Sequence, residues 1–155
     1  MLEKDVTEAL KQSLKGGQKL KVSVLRMLIS EINNKKIADK VKELDDEKVV
    51  GLIQKMVRQH KESIEKFKQG NREDLVSKET DELAILEEYL PEQISDGELA
   101  GIVSESIAQT GATSPKDMGA VMGEVMKRVK GCADGKVVSK MVREKLTQIQ
   151  EKGEK

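Results

Sequence analysis

Between Thr113 and Leu146 the chain places glycine, lysine and arginine at spacings suited to one chemistry, the electrostatic holding of phosphate. At about 100° per residue, the helical period, Met118, Met122, Val125 and Val129 share one face of a predicted helix. Gly119, Gly123, Lys127 and Lys130 fall along an adjacent face. In the helix predicted to follow, Lys136, Lys140 and Arg143 line one side, with Val138, Met141, Val142 and Ile149 opposite. From 116 to 145 there are eight basic residues (Lys116, Lys127, Arg128, Lys130, Lys136, Lys140, Arg143, Lys145) against four acidic ones (Asp117, Glu124, Asp134, Glu144). A glycine inside a helix costs roughly 1 kcal/mol relative to alanine, so Gly119 and Gly123 are expected to serve a close approach. Two approaches fit: tight helix packing within the domain, or access of a phosphate to bare backbone. The candidate nucleic-acid-binding residues are Lys116, Gly119, Gly123, Lys127, Lys130, Lys136, Lys140 and Arg143.

Other chemistries find no constellation here. Glu87 and Glu88 are consecutive on a predicted helix, so their carboxylates diverge instead of sharing a proton. His60 lies at the edge of an apolar stripe with no second histidine and no nearby cysteine, which leaves no conventional zinc site and favours a partly buried structural imidazole. Cys132 has no histidine near it in sequence and no signature of a nucleophile. The GxxxxGK[ST], GxGxxG and HExxH patterns are all missing. The expectation is no catalytic residue, no metal ligand and no cofactor. Met118, Met122, Met126 and Met141 are read as fillers of an irregular core.

The 155 residues include 28 basic and 28 acidic side chains, so any attraction to an anionic partner must be local and not a field of the whole molecule. One Phe, one Tyr and no Trp leave almost nothing for bases to stack on, which argues against sequence-specific reading of single-stranded RNA. A single cysteine excludes an intramolecular disulfide and suits a reducing compartment. No stretch approaches the ~20 apolar residues of a membrane span, and the acidic, discontinuous N-terminus does not read as a signal. The expected location is cytoplasmic, with no membrane partner.

Apolar residues recur at helical spacing nearly throughout, so the expected fold is all-α. A first helix should run from Leu2 to Gly16-Gly17, and a second, carrying Leu20, Val24, Leu28 and Ile32, should fade near Asn33-Asn34 before a charged loop. Asp45 is the predicted cap of a long third helix with Val49, Ile53, Met56, Val57, Ile64 and Phe67 along its stripe. Gly70-Asn71 breaks it, and a fourth helix with Leu75, Leu83, Leu86 and Tyr89 should return antiparallel and stop before Pro91. Leu90 to Ser95 is the predicted domain boundary, dividing an N-terminal helical domain, 1–92, from a small three-helix domain, 93–155. In the latter, Ser95 with Glu98 forms a capping box, Gly111 ends the helix, Ser114-Pro115 opens the next, Gly131 ends it and Asp134 caps the last.

The fragments SVLRMLISEI (23–32), HKESIEKFKQGNREDLVSKETDELAILEEYLPEQIS (60–95), and DMGAVMGEVMKRVKG with ADGKVVSKMVREKL (117–146) resemble the GatB/YqeY-domain family, in particular its stand-alone YqeY type. The second half is also similar to the tail domain of the GatB subunit of the tRNA-dependent amidotransferase. There the tail contacts tRNA, while the ATP-dependent chemistry belongs to other domains. The resemblance implies roles for Gly119, Gly123, Lys127, Lys130 and the turn Gly131-Cys132-Ala133-Asp134. Cys132 stands where the family pattern KGRAD or KGKAN has a basic residue, and His60 where stand-alone members often carry arginine.

The expected function is therefore a tRNA-associated accessory protein without activity of its own, which contacts structured tRNA through the C-terminal domain. Its implied surroundings are an aminoacyl-tRNA synthetase or an amidotransferase complex. The alternatives are a helical protein-interaction module and a non-catalytic subunit of a glutamine-dependent carbon–nitrogen ligase.

Overall fold

The computed structural model describes residues 1–153. The fold is all-α, with seven α-helices and no strand among the described residues, and it divides into one compact unit of Met1–Leu90 and another beginning at Pro91.

The first unit consists of α1 (Leu2–Lys15), α2 (Lys19–Asp39), α3 (Asp46–Gln69) and α4 (Glu73–Glu87). Gly17 takes the positive φ of +67° that lets the chain turn between α1 and α2. The α2 helix passes through Asn33 and Asn34 instead of fading there and ends at Asp39, closed by Lys40 in the left-handed conformation. Asparagine lowers helix propensity by only a few tenths of a kcal/mol. Against that, Lys36 Nζ lies 2.6 Å from Glu3 Oε1 on α1, and Lys35 pairs with Asp39 at 3.1 Å one turn along. Asp45 caps α3 as expected, accepting from Lys48 N at 2.9 Å. The connection before it contributes Leu44, which is 1% exposed and so belongs to the core despite its charged surroundings. Glu3 holds this connection, since its second carboxylate oxygen accepts from Leu44 N at 3.1 Å. After the turn at Gly70-Asn71, α4 lies along α3. Val6, Leu25, Leu28, Ile32, Val49, Ile53 and Leu86 form the centre, with Tyr89 packed against it from the edge.

The second unit contains α5 (Asp96–Thr110), a 3-10 turn at Pro115–Asp117, α6 (Met118–Val129) and α7 (Gly135–Gly153), and the three helices pack on one another. Ser95 Oγ accepts from Glu98 N at 3.2 Å, Gly111 closes α5 with φ +69°, and Asp134 Oδ1 accepts from Lys136 N at 3.2 Å. Ser114, expected as a cap, makes no such side-chain bond. The entry to α6 is held instead by Asp117, whose carboxylate accepts from Thr113 N at 3.0 Å, because the 3-10 turn brings residue 117 back over residue 113. Leu99, Val103, Val121, Val125, Val138, Val142 and Leu146 form the centre, and Met118, Met122, Met126 and Met141 pack around it. Ile149, assigned from periodicity to the buried side of α7, is 36% exposed: the buried run ends one turn earlier, at Leu146.

Candidate nucleic-acid interface

The buried valines of α6 are Val121, Val125 and Val129. Measured from their centre, the stripe of Gly119, Gly123, Lys127 and Lys130 lies about 155° round the helix at the ideal period. It is thus nearly opposite the core and not merely beside it, and all four residues are exposed. On α7, Lys136, Lys140 and Arg143 are likewise exposed and lie about 130° from the line of Val138, Val142 and Leu146. Lys116, in the 3-10 turn ahead of α6, is also exposed.

A methyl group at Gly119 or Gly123 would meet no heavy atom within 4 Å. Of the two approaches open to these glycines, tight packing inside the unit is not the one seen among the described residues: the helices meet through the valine and methionine sides. Gly51 and Gly101 are equally open. What distinguishes α6 is two such glycines one turn apart, with two lysines continuing the same stripe.

Among the eight basic residues between 116 and 145, Arg128 and Lys145 are used internally. Arg128 pairs with Glu105 at 2.9 Å and with Glu124 at 3.4 Å. Lys145 Nζ donates to Ala100 O at 3.0 Å and to Ser104 Oγ, which ties α7 to α5. The other six are the basic candidates. The Glu124 partner of Arg128 is one turn back and legible from spacing, but Glu105 and both acceptors of Lys145 lie on α5, distant in sequence, where periodicity does not reach.

The turn after α6 is held as structure. Lys130 (φ +38°) and Gly131 (φ +84°) reverse the chain, Cys132 O accepts from Ile94 N at 3.0 Å, and Gln93 Nε2 donates to Gly131 O at 3.1 Å. Of the turn's atoms implied by resemblance, two carbonyls are thereby occupied with the segment that precedes α5. Cys132 is half-buried and free of any disulfide.

A second grouping lies on the first unit. His60 of α3 meets Glu79 and Glu82 of α4: Nδ1 hydrogen-bonds to Glu79 Oε2 and lies 3.8 Å from Glu82 Oε2. The side chains are 14%, 21% and 12% exposed respectively. The expectation of a partly buried imidazole agrees with this. Its carboxylate partners come from another helix, and the one signal of them in the sequence is the i, i+3 spacing of Glu79 and Glu82.

A family model for the Yqey-like protein matches residues 3–146. The chain belongs to the Yqey-like protein family. Its relatives include fungal proteins named "Altered inheritance of mitochondria protein 41, mitochondrial". The one from Kluyveromyces lactis is 40% identical over 89 residues, 55% of this chain and 48% of that protein. The Lachancea thermotolerans protein is 34% identical over 108 residues, 68% and 58% of the two chains. The Pyrenophora tritici-repentis protein is 32% identical over 139 residues, 87% of this chain and 75% of the relative. The chain thus spans about half the length of the first two relatives. No helix among the described residues is long and apolar enough to cross a membrane.

Proposed function

We propose that this family member binds structured tRNA through the outward stripes of α6 and α7, as a non-catalytic accessory to tRNA charging or transamidation. The observation that carries the reading is the bare backbone of Gly119 and Gly123, open to solvent on the same stripe as Lys127 and Lys130. Without side chains there, a phosphate can approach the helix surface while the lysines beside it supply charge. Lys136, Lys140 and Arg143 extend the same chemistry on α7. The lack of aromatic side chains on these stripes favours a contact led by phosphate and shape over one led by bases. The similarity of this half to a tRNA-contacting tail domain supports tRNA over other structured RNA. On this reading the partners are an aminoacyl-tRNA synthetase or amidotransferase complex, in a compartment that holds tRNA: the cytoplasm, or the mitochondrion that the fungal relatives' names specify.

The test is fluorescence anisotropy of labelled tRNA with the purified chain across a salt series. Binding whose logarithm falls linearly with the logarithm of salt supports the reading; no binding at low salt removes it. One observation favours a second reading, a protein partner on the first unit: Leu14 and Met27, 50% and 57% exposed, line a depression together with Val22. Retention of a synthetase or amidotransferase subunit by residues 1–90 with no binding of tRNA by the whole chain would establish that alternative.

A further inference from the structure

We propose that His60, Glu79 and Glu82 form a binding site for one divalent cation of the zinc class, set between α3 and α4. Three potential ligand atoms, one from each residue, lie within 4.8 Å of one another. Glu79 and Glu82 are three apart on α4 and so project side by side. His60 comes from the facing helix, which makes the cluster a product of the packed pair.

The balance of charge points to a cation. Two carboxylates face one imidazole, so even a fully protonated ring leaves one negative charge uncompensated within the cluster. Nδ1 holds a single proton or a single lone pair and can satisfy one carboxylate. It bonds to Glu79, while Glu82, only 9% exposed as a residue, has that nitrogen at 3.8 Å, outside hydrogen-bond reach. An ion with several coordination positions can serve all three groups together. Zinc bonds to nitrogen and oxygen are about 2.0–2.2 Å long, which sets neighbouring ligands of a tetrahedral site roughly 3.4 Å apart. Side-chain rotation that parts Nδ1 from the Glu79 oxygen and brings the Glu82 oxygen, now 3.8 Å from Nδ1, a few tenths of an ångström nearer meets that spacing. One imidazole and two carboxylates favour zinc, cobalt or manganese over calcium and magnesium, which prefer all-oxygen sets. The fourth position of the ion is left to water. When Nδ1 carries a proton, binding exchanges it for the metal, and the proton leaves to solvent.

The full chain, freed of metal by chelator and dialysed, is titrated with Co2+ while its visible absorption is followed, and with Zn2+ by calorimetry. The expected result is one ion per chain at micromolar affinity and a thermal midpoint raised by Zn2+. Glu82→Gln removes a ligand with little change of shape. His60→Arg removes the ligand but supplies a guanidinium able to pair with both carboxylates. Each should weaken binding at least 100-fold and abolish the zinc-dependent rise in midpoint, while helical circular dichroism is kept. Cys132→Ser should bind as the unaltered chain does. Absence of binding to the unaltered protein, equal affinity in the Glu82 and His60 variants, or loss of binding in the Cys132 variant would each overturn the assignment.

Discussion

Replacing Gly119 and Gly123 together by alanine should stabilise the second unit and weaken its hold on tRNA. The two effects have different origins. Gly123 is the sixth residue of the 12-residue α6, where the full glycine penalty of roughly 1 kcal/mol applies. Gly119 is the second residue, beside the unpaired amides of the first turn, where about half of that is expected. Since an added methyl meets nothing within 4 Å at either site, no clash offsets the gain. The sum is about 1.5 kcal/mol, which for a unit of this size raises the midpoint by about 6–12 °C. Unfolding of the full chain followed by circular dichroism, with exchange of amide hydrogens in α6 to assign the change to the second unit, reads the first effect. Anisotropy of labelled tRNA at low salt reads the second, where two methyl groups on the approach surface should cost at least several-fold in affinity. A lower midpoint would refute the structural argument, because it would mean that the glycines pack against something. A higher midpoint with unchanged tRNA affinity would refute the phosphate argument and leave the glycines without a role.

Changing Lys136, Lys140 and Arg143 to glutamine should weaken tRNA binding and lower the salt slope by up to about 3, with a midpoint almost unchanged because exposed charges contribute little to stability; unaltered binding at low salt would move the interface off α7. Glu3→Gln should destabilise the first unit by about 1–2 kcal/mol in urea unfolding at pH 7, since its carboxylate holds Lys36 and Leu44 N in a partly buried position. Burial pushes the Glu3 carboxyl up, but the hydrogen bonds from Lys36 and Leu44 N outweigh it and leave it below the usual carboxylate range. The contribution is therefore fully present above the unfolded value near 4.3 and lost as pH falls through the folded value, so variant and unaltered chain should converge in stability in strong acid; a gap that widens there would reverse the sign. A fragment beginning at Pro91 should keep helical circular dichroism and the tRNA affinity of the whole chain, whereas one beginning at Ser95 should melt lower, because it lacks the Gln93 and Ile94 bonds to the turn after α6.

Helix identity was legible in the sequence wherever a local signal acted within one turn. Asp45 and Ser95 cap their helices through the amide three residues on, and Gly17 and Gly111 turn left-handed as glycine allows. The all-α fold follows from such signals and from apolar period, since neither needs a distant partner. Where the outcome depended on residues far along the chain, only the tertiary structure decided it. Glu3, on α1, helps carry α2 past Asn33 and Asn34, and Leu44 enters the core from a segment that reads as charged loop. In the candidate interface, sequence was enough to put the lysines on helical stripes, because i, i+4 spacing is a local property. It could not tell that Arg128 and Lys145 are taken up by α5, or that Gly119 and Gly123 face away from every neighbour. His60 shows the same division: its half-buried position follows from the edge of an apolar stripe. Its two carboxylates come from a helix that meets it only after the chain has reversed, and the energy of such a cluster depends on distances that no spacing along one helix contains.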